Sequence, residues 1–127
     1  MALTFQFQRD LLSFITVEDV EFAVGAQTLD EAFHQAKNKG NEQPWHLLFD
    51  IRHSKENRST AELNYMADVI GKHRALLTGK CAIVADQPLH YGLSRMFAAF
   101  LLKYEIRTEI IPDRDAAEAW LYSTQSS

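Results

Sequence analysis

Trp45-His46-Leu47-Leu48-Phe49-Asp50-Ile51 decides how this chain folds. Successive side chains of a strand point to opposite faces, and here both faces are apolar. A strand of that kind must be covered on both sides, as parallel strands in α/β proteins are. Residues 80–85, with Cys81-Ala82-Ile83-Val84-Ala85 at their heart, have the same character. Two such strands imply a sheet with helices packed against it.

The flanking segments supply those helices. Toward the N-terminus, Thr4-Phe5-Gln6-Phe7-Gln8 alternates polar and apolar residues, the period of a half-buried strand. Arg9-Asp10 can turn the chain into a second strand over 11–17, so the two pair as an antiparallel hairpin. The period then changes. Phe22, Ala26, Leu29, Phe33 and Ala36 recur at steps of four and three, which predicts a helix over 19–39. Gly25 is a weak point inside it, and Lys37, Lys39 and Gly40 suit its end. Beyond the central strand, a helix over 59–77 carries Leu63, Met66, Ile70, His73 and Leu77 on its inner stripe. Ser59 or Thr60 caps it, and Glu62 is placed for a capping box. A third helix is predicted over 89–103 after Pro88, with Leu93, Phe97, Phe100 and Tyr104 toward the sheet. Arg107-Thr108-Glu109-Ile110 reads as an edge strand, and Pro112-Asp113 opens a short last helix. A polar tail follows over 124–127. The predicted order is β-β-α-β-α-β-α-β-α, an α/β domain with a mixed sheet flanked by helices. It occupies 1–127 as a single domain.

Composition narrows the function classes. The chain has 127 residues, 46% hydrophobic and 24% charged, which suits one globular domain that needs no disulfide or metal to fold. A net charge of -4 argues against general nucleic-acid binding. The start of the chain lacks the pattern of a signal peptide, and the longest uninterrupted apolar run, 96–102, is too short to span a bilayer. A cytoplasmic protein with no membrane insertion is expected. Cys81 is expected to be a buried core residue.

With the element order in place, the sequence resembles the SpoIIAA-like, or STAS-like, α/β domains, in particular stand-alone bacterial proteins. The resemblance rests on Leu47-Leu48-Phe49-Asp50-Ile51-Arg52, on Tyr91-Gly92-Leu93-Ser94-Arg95-Met96-Phe97, and on the stretch from Asp113 to Leu121, and covers nearly the whole chain. In phosphorylatable members of that family an Asp-Ser-Ser-Gly type motif opens the helix after a core strand, and its serine switches partner binding. Ser59-Thr60 stands there by element position. Arg58 precedes it and Ala61 follows, so neither the Asp nor the Gly is present. Ser59 then reads as a helix N-cap.

Ligands of open α/β sheets bind beyond the C-terminal ends of the parallel strands. The candidate binding residues there are Asp50, Arg52, His53, Arg58 and Ser59 after one strand, and His90, Tyr91 and Arg95 after another. With helix N-termini alongside, such a rim suits a carboxylate or phosphate. No metal or cofactor is expected: His34, His46, His53, His73 and His90 show no ligand spacing. Gly92-Leu93-Ser94 begins like a nucleophile elbow but lacks the second Gly and falls within a helix, so no catalytic residue is assigned. The run Met96-Phe97-Ala98-Ala99-Phe100-Leu101-Leu102 is apolar all round. Tyr91, Arg95, Met96, Ala99 and Leu102 are accordingly the candidate interface of a homodimer or protein partner. The expected function is a non-enzymatic regulatory or protein-interaction module that self-associates. The alternative is a carrier or sensor of a small anionic or lipid-like ligand, for which the related CRAL-TRIO lipid-transfer domains offer a parallel.

Overall fold

The structure, a computed structural model, describes residues 2–40 and 42–123; the polar tail expected over 124–127 lies outside the described residues. β1 (Ala2–Gln8) and β2 (Leu11–Glu18) form the expected antiparallel hairpin, with Gln8 opposite Leu11. Two-residue hairpin turns require positive φ, and Arg9 adopts φ 55° although it is not glycine. β3 (Trp45–Ser54), β4 (Leu77–Val84) and β5 (Arg107–Ile111) then add in parallel, giving a five-stranded mixed sheet in the order β1-β2-β3-β4-β5.

That order determines where the helices go. Parallel strands laid down one after another by right-handed crossovers must carry every connecting helix on the same face. α1 (Phe22–Asn38), α2 (Thr60–Lys72) and α3 (Pro88–Leu101) share that face. Their core is built on Leu12, Phe14, Leu29, Phe33, Leu47, Ile70, Ile83 and Leu101, and each such large apolar side chain contributes about 1.5–3 kcal/mol when fully buried. α4 (Arg114–Leu121) follows β5 and lies over the opposite face against β3, β4 and β5. A smaller core of Leu11, Leu48, Ala82, Val84, Ala117 and Leu121 forms there. The sheet is therefore covered on both sides, as the reading of residues 45–51 requires.

Two readings are corrected. The helix predicted over 59–77 ends at Lys72, a tighter turn follows over Arg74–Leu76, and Leu77 opens β4. Arg74 explains the break. Its guanidinium donates to the carbonyls of Tyr104 (2.9 Å) and Leu77 (2.8 Å), a position that a continued helix would not give it. Gly79, at φ 94°, then interrupts the alternation of β4 beside a register shift, which hides the true start of that strand. His73 is a hydrogen-bonded boundary residue, its Nε2 lying 3.2 Å from Asp30 Oδ1.

The second correction concerns α3. Its buried residues are His90, Ser94, Phe97 and Leu101. At steps of four, three and four these form one helical stripe, turned by about 60° from the expected stripe through Leu93, Phe97, Phe100 and Tyr104. Leu93, Met96, Phe100 and Tyr104 are only half-buried, packed at the edge of the core. Core packing therefore accounts for most of the apolar run 96–102, and only Ala99 and Leu102 within it are exposed.

Candidate functional site

Between the sheet and the helices lies a cavity at the C-terminal ends of the parallel strands. Thr16 of β2, Phe49, Ile51 and Ser54 of β3, and Ile83 of β4 form its floor. Gly25 and Leu29 of α1, Leu63 and Met66 of α2, and Leu93 and Phe97 of α3 form its walls. Its volume is about 100 Å³, and it is open to solvent on one side.

The floor owes its shape to a β-bulge. β3 pairs with β2 as Ile15 opposite Asp50 and then Val17 opposite His53, so β3 carries one extra residue across that interval. Without it, Ser54 would share the face of Leu48 and Asp50. With it, Ser54 turns to the face of Phe49 and Ile51 and reaches the cavity. Its hydroxyl accepts a hydrogen bond from the Glu56 backbone N–H at 3.0 Å, fixing the loop that follows.

That loop supplies Glu56 and Arg58, whose side chains line the cavity and are only 16% and 12% exposed. Arg58 Nη2 donates to the Glu56 carboxylate and to the Val20 carbonyl, while the Val20 N–H donates to Glu56. The pair thus holds both backbone groups of Val20 and ties the loop before α1 to the loop before α2. Burial pushes the Glu56 carboxyl above its ordinary value of 4.5 against the opposing pull of Arg58. Among the described residues, three polar side-chain atoms of the cavity lining are buried without a hydrogen-bond partner: Arg58 Nε, His90 Nδ1 and Ser94 Oγ. His90 and Ser94 are 5% and 3% exposed, one helical turn apart on α3. No hydrogen bond joins the two side chains.

Buried polar groups are nearly always paired, so three orphans in one apolar cavity mark it out. Among the described residues, no group of three His, Cys, Asp or Glu side chains is arranged to hold a metal ion. Cys81 is fully buried in the core, and burial pushes its thiol up to about 12.

The eight candidate binding residues do not gather on one rim. Arg58 and His90 line the cavity. Asp50 and Arg52 lie across the sheet beneath α4. Arg52 grips the Asp50 carboxylate with both Nε (3.0 Å) and Nη2 (2.7 Å), and Arg114 stands 3.9 Å away. Burial pushes the Asp50 carboxyl up, but the hydrogen bonds and charge of Arg52, with Arg114, outweigh it and hold the group below 3.8. The Asp50 carboxylate is thus engaged within the cluster. His53 is exposed, and so is Ser59, which accepts from the Glu62 N–H at 3.1 Å in a complete capping box. Tyr91 and Arg95 sit on the outer face of α3, with Arg95 Cζ 6.0 Å from the Tyr91 ring centroid. Of the interface candidates, Tyr91, Arg95, Ala99 and Leu102 are exposed on that face, and Met96 is half-buried. Thr16, Glu56 and Ser94 are polar cavity residues that were not among those candidates. The spacing His90, Ser94, Phe97, Leu101 was the available signal for Ser94.

No protein-family model matches the sequence, and no curated protein matches it. A solved structure from Shewanella loihica, an uncharacterised protein of the DUF3478 family with a SpoIIAA-like fold, superimposes with a TM-score of 0.59 at 18% sequence identity, over 94% of this chain and 92% of that one. No helix among the described residues is long and apolar enough to cross a membrane. The sheet order, the helices flanking it and this likeness together give the chain a SpoIIAA-like α/β fold.

Proposed function

We propose that the protein is a carrier or sensor that binds one small amphipathic molecule in the cavity without transforming it. The observation that supports this reading is the set of buried atoms unpartnered among the described residues, Arg58 Nε, His90 Nδ1 and Ser94 Oγ, on side chains that line a mainly apolar cavity. Ligand sites are typically apolar concavities with a few convergent polar groups, and each unpaired polar group costs about 1–3 kcal/mol of stability unless something partners it. A ligand with an apolar body and one polar end would meet both needs. The test is the melting temperature with medium-chain amphiphiles, 1-octanol and 2-octanone among them. The native chain is expected to gain several degrees at saturating ligand. Ser94→Leu, whose side chain fills the cavity, is expected to gain none. A panel that leaves the native melting temperature unchanged would reject the reading.

A second reading, a regulatory module that self-associates through α3, draws on Tyr91 and Leu102, which are 48% and 63% exposed on the same face. Leu102→Glu tests it, because the change does not touch the core. A dimer in light scattering that becomes a monomer in the variant supports this reading, and a native monomer at micromolar concentration removes it.

A further inference from the structure

Resting on the cavity as a ligand site, we propose that the ligand's polar end is uncharged, an alcohol, carbonyl or amide, and that Glu56 enforces this selection. Among the described residues that line the cavity, Arg58 is the one permanent cation, and it is paired with Glu56. Its Nη2 donates to the Glu56 carboxylate, and the two side chains are 12% and 16% exposed, so the pair enters the site as a neutral unit. Asp19 adds further negative potential at Glu56. What remains unpartnered among the described residues is a set of buried polar atoms on lining side chains, the Arg58 Nε–H, the Ser94 hydroxyl and the His90 Nδ1, which a ligand would meet by small rotations of those side chains.

Two or three such groups satisfy a hydroxyl or carbonyl completely. A carboxylate placed there would lose its hydration and lie beside Glu56, whose charge already balances that of Arg58, and uncompensated buried charge is costly. Displacing Glu56 from Arg58 would not resolve this. The same carboxylate accepts from the Val20 N–H, and Arg58 donates to the Val20 carbonyl, so the pair is also the latch between the loops preceding α1 and α2. The site therefore rejects anions by charge balance rather than by shape.

The experiment compares 1-octanol, 2-octanone and octanoate by isothermal titration calorimetry at pH 8, on the native chain and on Glu56→Gln. The amide keeps an acceptor for the Val20 N–H and so preserves the latch while removing the charge. In the native chain, octanol and octanone are expected to bind at least tenfold more tightly than octanoate. In Glu56→Gln, octanoate is expected to gain at least tenfold and the neutral ligands to change little. Octanoate binding the native chain as tightly as octanol would overturn the selection rule and leave the ligand site standing. An unchanged octanoate-to-octanol ratio in a folded Glu56→Gln would overturn the role of Glu56. Absence of binding by all three to the native chain would sink the ligand site itself, and the selection rule with it.

Discussion

Replacing Ser94 with Ala should make the protein more stable, a result that an ordinary core residue would not give. Ser94 is 3% exposed and its hydroxyl has no hydrogen-bond partner. Removing an unsatisfied buried hydroxyl recovers about 1 kcal/mol, and the Ser-to-Ala change in a helix interior adds about 0.5 kcal/mol of propensity. Ser94 lines an existing cavity, so the loss of packing is small. The sum is a stabilisation of about 1.5 kcal/mol. With a urea m-value of about 2 kcal/mol/M for a domain of this size, the midpoint should rise by about 0.7 M. Urea titration followed by circular dichroism measures it, and an unchanged m-value establishes that stability alone has moved. A rise of about 0.25 M or less, which propensity alone supplies, would show that the hydroxyl already has a partner and would refute the premise of an unfilled polar site.

Other expectations follow from the same geometry. Gly25→Ala should stabilise by about 0.5–1 kcal/mol through helix propensity, because the added methyl meets Arg58 Nη2 at a tolerable 3.4 Å; a lower urea midpoint would show that the Arg58 latch cannot yield to it. Asp50→Asn should cost about 2 kcal/mol, less than the about 3–5 kcal/mol of a fully buried pair, since Arg52 and Arg114 remain 30% and 24% exposed. The folded Asp50 carboxyl lies below its ordinary 3.8, so its stabilisation is present above that pH and is lost as pH falls through the folded value. The variant should flatten the acid limb of the stability profile below about pH 4, and an unaltered limb would dismiss the ion pair as its source. Glu56 has the opposite sign. Its folded value is raised above 4.5, so its ionisation costs stability as pH rises from 4.5 through that value; Glu56→Gln should remove that decline, and a decline that persists would place its origin elsewhere. Leu102→Glu should shift stability by less than about 0.5 kcal/mol, since its side chain is 63% exposed; a larger loss in urea would show that α3 is covered by a partner.

Much of the fold was legible because it rests on periodicity. Leu47 and Leu48 each bury completely, one under α1 to α3 and the other under α4, as a doubly apolar strand demands. The helix N-cap at Ser59 was legible because its chemistry is local. The site was less so, for three physical reasons. Ranking helix faces by apolar content favoured Leu93 and Phe100 over His90 and Ser94, although the polar pair sits on the stripe the sheet selects. Residues adjacent in sequence were taken as adjacent in space, yet strand alternation sends Asp50 and Arg52 to one face and Phe49 and Ile51 to the other. The bulge that turns Ser54 into the cavity has no glycine to announce it, and only the register with β2 reveals it.

The occupancy of the cavity can be observed atom by atom. With the methyl-labelled chain and unlabelled 1-octanol, an isotope-filtered NOE experiment should connect the alkyl protons to the methyl groups of Leu63, Met66, Ile83 and Leu93, all of which line the void. The same contacts should vanish in Ser94→Leu. Contacts confined to Leu102 and its exposed neighbours on α3, or none at all at millimolar octanol, would contradict an internal ligand site.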